Sequence, residues 1–158
     1  MNSALSLLLA LGMGVVAGLR SMTAPALVAW AAHWGWIDLA GSPLAFMGSA
    51  WAVGVFTLGA VGELVADLLP TTPARTSAFP LAARIVMGLL TGACLGTAGG
   101  ASTWLAALLG AIGAIAGTFG GYRARVGLVR WFHCPDFRIA VPEDLIAIAL
   151  GLFLVSRF

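Results

Sequence analysis

The chain contains no lysine, and charge of either sign is scarce: eight arginines and six acidic residues make up 9% of 158 residues. A soluble domain carries about 25% charged residues, so this chain cannot cover a water-facing surface. A soluble enzyme and a disordered segment are excluded on that ground. The net charge of +2 is too small to imply a nucleic-acid partner. Cysteine is nearly absent. Cys94 lies in an apolar run far from Cys134, so neither a disulfide framework nor a CxxC metal site is indicated. The residues Met1-Asn2-Ser3-Ala4 carry no basic side chain ahead of the first apolar stretch. That is a poor signal peptide, and the first helix is expected to be retained.

What the chain has in quantity is apolar surface and glycine. Hydrophobic residues are 61% of the total, 21 residues are glycine, and the mean hydropathy is +1.02. A bilayer core needs about 20 predominantly apolar residues per helix, and five segments approach that length. The expectation is an all-α membrane protein with about five transmembrane helices, forming one transmembrane domain over residues 1–158. The first segment, about Ser3 to Ala31, is long, and Arg20 and Pro25 suggest a break within it. The second runs from Pro43 to Leu69 and stops at Pro70-Thr71-Thr72-Pro73, because proline cannot continue a helix. The third covers Pro80 to Ala98 and the fourth Thr103 to Phe132. The fifth is opened by Pro142 and runs to the C-terminus.

With five spans, Arg75, Arg84, Arg123, Arg125, Arg130 and Arg138 gather on one side, which the positive-inside rule makes cytoplasmic. The N-terminus falls on that same side and the C-terminus on the other. Arg20 then stands at the far end of its span. It either snorkels to the interface or anchors a broken-helix site with Ser21 and Thr23.

Glycine recurs at fourth positions. Gly88, Gly92, Gly96 and Gly100 do so in the third segment, Gly113, Gly117 and Gly121 in the fourth, and Gly14 and Gly18 in the first. Small residues on one face let helix backbones approach closely in lipid. These stripes serve packing within the chain or a homo-oligomer seam. Gly14-(x3)-Gly18-Leu19-Arg20 also resembles Gly117-(x3)-Gly121-Tyr122-Arg123, which suggests an inverted repeat of the kind found in transporters.

Charges inside a span are costly, face the bundle interior and usually pair. Glu63 and Asp67, four residues apart, share a helical face. Arg84, Arg123, Arg125, Glu143 and Asp144 fall at a similar depth on the cytoplasmic side. The cluster is either a buried salt-bridge network or a site for a proton, a cation or a small polar solute. Glu143 and Asp144 are equally explained as first-turn acids complementing a helix dipole. His33 beside Trp34 and Trp36 reads as part of an aromatic belt. His133-Cys134-Pro135-Asp136 carries metal-capable side chains without partners elsewhere. No metal or cofactor is expected. A lipid-directed enzyme is less expected than a transporter or an accessory protein, because Ser21, His33 and His133 supply no nucleophile–base set by spacing.

Gly18-Leu19-Arg20-Ser21, Glu63-(x3)-Asp67-(x2)-Pro70, Glu143-Asp144 and the stretch from Gly117 to Arg125 together resemble a family of small bacterial integral membrane proteins, catalogued as domain of unknown function 4126. The family pattern has lysine after the second carboxylate, where this chain has Leu68. A charge-pair role at that position therefore does not carry over. The resemblance implies a bacterial inner-membrane location and no particular activity.

Overall fold

Proline in a helix interior loses a backbone hydrogen bond and clashes with the carbonyl four residues earlier, so Pro25 forbids a helix continuous through Ser21. The computed structural model, which describes residues 2–66, 76–133, 135 and 137–158, breaks there. Helix α1 (Ser3–Leu19) starts at Asn2, whose Oδ1 accepts from the Ala4 amide, and ends at Arg20 in an extended conformation. Helix α2 (Thr23–His33) follows, with Pro25 tolerated in its first turn. A 3₁₀ turn at Ala45–Gly48 leads into α3 (Ala50–Ala66). Helix α4 (Ala78–Ala98) ends on Gly100, whose φ of +67° suits glycine, with Ala101 donating back to the Gly96 carbonyl. Ser102 then caps α5 (Thr103–Phe132), and α6 (Phe137–Val155) closes the chain. Among the described residues all regular structure is helical.

The contacts fix the directions. Gly14 of α1 meets Gly110 of α5, and Gly18 meets Ala114 and Thr118, so α1 and α5 run parallel. Gly88 of α4 faces Gly110 and Ala114, whereas Gly96 faces Ala106, so α4 and α5 are antiparallel. In α6, Asp144 reaches Arg20, Gly151 touches both Val16 and Leu27, and Leu154 touches Gly12. Helix α6 therefore runs against α1 and along α2, and the chain reverses direction between them. Helix α3 returns beside α2: Gly59 lies against Met22, and Trp30 Nε1 donates to Thr57 Oγ1 at 3.1 Å. The result, among the described residues, is six α-helices alternating in direction.

Three expectations are corrected by this arrangement. The first apolar segment is a helical hairpin rather than one long span, because α6 seats against both of its arms. The segments around Gly14 and Gly117 point the same way, so they form no inverted repeat. Ser3 lies with the α4–α5 turn (Ser6 Oγ donates to the Gly99 carbonyl at 3.2 Å), whereas Arg123, Arg125 and Arg130 lie at the other end of α5. The N-terminus and the arginine-rich end cannot share a side. One boundary also moves: α6 begins at Phe137 and contains Pro142 in its second turn, where the ring costs a single bond near the helix end.

The core is thin and backbone-rich. A Cβ on Gly14, Gly18, Gly88, Gly92, Gly113 or Gly117 would run into the main chain of the neighbouring helix, and one on Gly96 would run into Ala106. These glycines lie inside the chain's own interfaces, around α5; Gly121 is half-buried above them. Large apolar side chains stand outside instead. Trp51, Phe79 and Trp104 are 85%, 85% and 83% exposed. The fully buried set includes Arg20, Thr91 and Thr118. Two helices, α4 and α5, are long and apolar enough to cross a membrane; α1 and α3 are shorter apolar helices.

Candidate functional site

The α1–α2 break leaves polar backbone groups at both half-helix ends with no partner along the chain. Side chains from α3, α4 and α5 meet them. Glu63 of α3 accepts at Oε1 from both the amide and the hydroxyl of Ser21, and at Oε2 from the Met22 amide, each at 2.9 Å. The same carboxylate lies 3.5 Å from Arg84 Nη2. Arg84 is buried, and its Nε donates to the Gly18 carbonyl at 3.2 Å while Nη1 donates to the Pro80 carbonyl at 3.3 Å. Thr118 Oγ1 reaches Gly18 O at 3.2 Å and Ala114 O at 2.8 Å. The last turn of α1 thus receives donors, and the entry to α2 receives an anion, matching the dipole at each half-helix end.

Two further pairs flank the break. Arg20, 1% exposed, forms a charge-assisted hydrogen bond and salt bridge with Asp144 of α6. Arg125 Nη1 lies 3.3 Å from Glu143 Oε2, with both side chains nearly buried. The sequence expectation for Glu143 and Asp144 as first-turn acids is replaced: α6 starts six residues before Glu143, and both acids face arginines.

Glu63, Arg84, Arg125, Glu143 and Asp144 are therefore brought to one end of the bundle. Arg20, expected on the opposite side, joins them, because α1 starts beside the α4–α5 turn and crosses to this end, where Arg20 meets Asp144 before α2 turns back. Arg123 does not join; it is exposed on α5 beyond the cluster. Asp67 lies outside the described residues. Thr118, the Met22 amide and the Gly18 carbonyl are the members that sequence reasoning missed. Two of them are backbone groups, and a threonine inside a glycine-rich helix gives no signal of its own.

The weaker candidates fall elsewhere. His33 Nδ1 lies 2.9 Å from the Gly48 carbonyl and packs edge-on to Trp30, beside a small apolar pocket of about 100 Å³ lined by Leu27, Trp34 and Leu152 among others. His133 lies 3.1 Å from the Trp131 carbonyl, and Cys134 and Asp136 lie outside the described residues. Cys94 is a buried free thiol. No group of three His, Cys, Asp or Glu side chains suited to a metal ion occurs among the described residues.

The matched region takes in nearly all of this architecture. The model of a family described as Domain of unknown function (DUF4126) covers residues 7–156, from α1 to the end of α6. The chain belongs to that family. No curated protein and no solved structure matches it. All six members of the charge network lie inside the matched region.

Proposed function

We propose that this chain is an integral protein of the bacterial inner membrane and that the α1–α2 break is the centre of a transport site for a proton or small cation. The membrane reading is supported by the inverted surface, apolar outside with arginine and threonine inside. By the positive-inside rule the end bearing Arg123, Arg125, Arg130 and Arg138 is cytoplasmic. The structure puts both termini at the opposite end, so this reading places them outside.

One observation carries the transport reading: the turn of the α1–α2 hairpin lies within the apolar span, with charged side chains from three other helices gathered at it. Thr118 lies about 24 Å along α5 from Ser102 at about 1.5 Å per residue. The break beside it is thus within an apolar core about 30 Å thick. Helix ends at such depth, with their dipoles turned toward the ligand, line the binding sites of many transporters. Buried ion pairs can often be replaced by apolar residues at no loss of stability, so three of them at one level call for a role beyond packing. Glu63 is the residue assigned to exchange the proton or cation, with Arg84 as its counter-charge in the closed state.

Protein-free vesicles provide the baseline for the test. Wild-type protein in liposomes should relax an imposed pH gradient, read by an encapsulated pH-sensitive dye, faster than empty vesicles. Glu63→Gln should relax it at the empty-vesicle rate. Equal rates for wild type and variant would reject the assignment. A structural role is the second reading, favoured by the closure of all three described pairs. Under it, wild-type protein relaxes no gradient and the variant loses stability alone. Self-association draws no support from the glycine stripes, which the chain uses internally.

A further inference from the structure

The cytoplasmic end of α5 has a feature that the transport site does not use. Residues 103–122 of α5 carry no charge and span about 30 Å, the thickness of a bilayer core. Trp104 stands exposed at one end of this stretch and Tyr122 at the other. The last ten residues of α5 therefore rise through the headgroup layer, and they hold Arg123, Arg130 and Trp131. Trp131 is 79% exposed, as expected of an interfacial anchor.

Arg123, Gly127 and Arg130 follow at i, i+4 and i+7, so they lie on one face of the helix. All three are exposed, and neither arginine forms an ion pair with any described residue. A Cβ at Gly127 would meet nothing within 4 Å. The face thus presents two arginines whose backbone positions are about 10 Å apart along the axis, with an open notch at Gly127 between them. Gly120, one turn below Arg123 at the edge of the apolar stretch, is equally open. The described carboxylates of α6, Glu143 and Asp144, pair with Arg125 and Arg20.

We propose that Arg123, Gly127 and Arg130 form a binding site for the headgroup of an anionic phospholipid. The phosphate sits in the notch between the arginines, whose planar forks match phosphate oxygens, and an acyl chain lies along Gly120. Position selects the lipid over a soluble anion, since the notch opens at headgroup depth directly above the uncharged, open helix surface at Gly120. The inference rests on the membrane reading above.

Native mass spectrometry of the full chain, released from micelles containing equal phosphatidylglycerol and phosphatidylcholine, tests it. The wild type should retain phosphatidylglycerol at least tenfold over phosphatidylcholine. Arg123→Gln with Arg130→Gln should abolish that preference, and Gly127→Leu should abolish it without altering charge. Arg138→Gln, off this face, should keep it. An unaltered melting midpoint for Gly127→Leu shows that its fold is kept. Preference surviving in Gly127→Leu, no preference in the wild type, or equal competition by glycerol 3-phosphate would each overturn the proposal. Release of the protein from membranes by alkaline carbonate would instead overturn the membrane reading. A membrane-resident protein without lipid preference fails the lipid site alone.

Discussion

Removing the carboxylate of Glu63 separates the interactions at the hairpin break from one another. In Glu63→Gln the side chain keeps its size but exchanges one acceptor oxygen for a donor. That donor must face either the Ser21 pair or the Met22 amide, both of which donate. Arg84, 3.5 Å away, loses its counter-charge but keeps the Gly18 and Pro80 carbonyls. Side-chain exposures of 14% for Glu63 and 6% for Arg84 put the pair in the buried regime, where loss of one partner costs about 3–5 kcal/mol. Arg84→Met should cost a similar amount, since it leaves the carboxylate buried without its cation. The double variant removes the charge imbalance. Its loss should fall short of the sum of the single losses by about 1–3 kcal/mol, the coupling seen between residues in one network. Reversible unfolding in mixed detergent–SDS micelles, followed by tryptophan fluorescence, gives all three values. Additive losses would refute the reasoning, because they would mean that Glu63 and Arg84 act on separate parts of the structure.

Other consequences follow from the packing and the chain direction. Gly110→Ala drives a Cβ onto the Gly88 carbonyl and should lower stability by about 1–3 kcal/mol or more. Gly54→Ala meets no neighbour and should be neutral or stabilising by up to about 1 kcal/mol; thermal melting midpoints in one detergent distinguish the two. Single cysteines at Ser3 and Ser156 in a Cys94→Ala, Cys134→Ala background should react with an impermeant maleimide from outside spheroplasts, and one at Arg130 should not. Labelling of Ser3 and Ser156 from opposite sides would contradict the six-helix arrangement.

Much of the helical content was legible because each helix follows from local pattern. Apolar runs of sufficient length, prolines near starts and glycine at the α4–α5 turn specify helices without distant partners. The closeness of Glu63 and Arg84 was legible for a similar reason: both sit near the connection between consecutive apolar segments that Pro80 marks. The path after Pro25 was not. A proline break says where a helix stops, whereas the direction of the next one depends on what packs beside it. Here that is α6, more than a hundred residues away, with Gly151 seated against both arms. Arg20 was misplaced for this reason alone, since its partner Asp144 is remote in sequence. The receiving groups at Gly18 and Met22 were invisible because backbone atoms have no signature in residue type.

The central claim is that Glu63 holds the entry to α2 across the break. Amide hydrogen exchange at Ser21 and Met22, measured in lipid nanodiscs for wild type and Glu63→Gln, tests it most directly. Both amides should be strongly protected in the wild type and should exchange at least tenfold faster in the variant, a larger factor than that for amides along α4 and α5. Equal exchange in the two proteins would contradict the account.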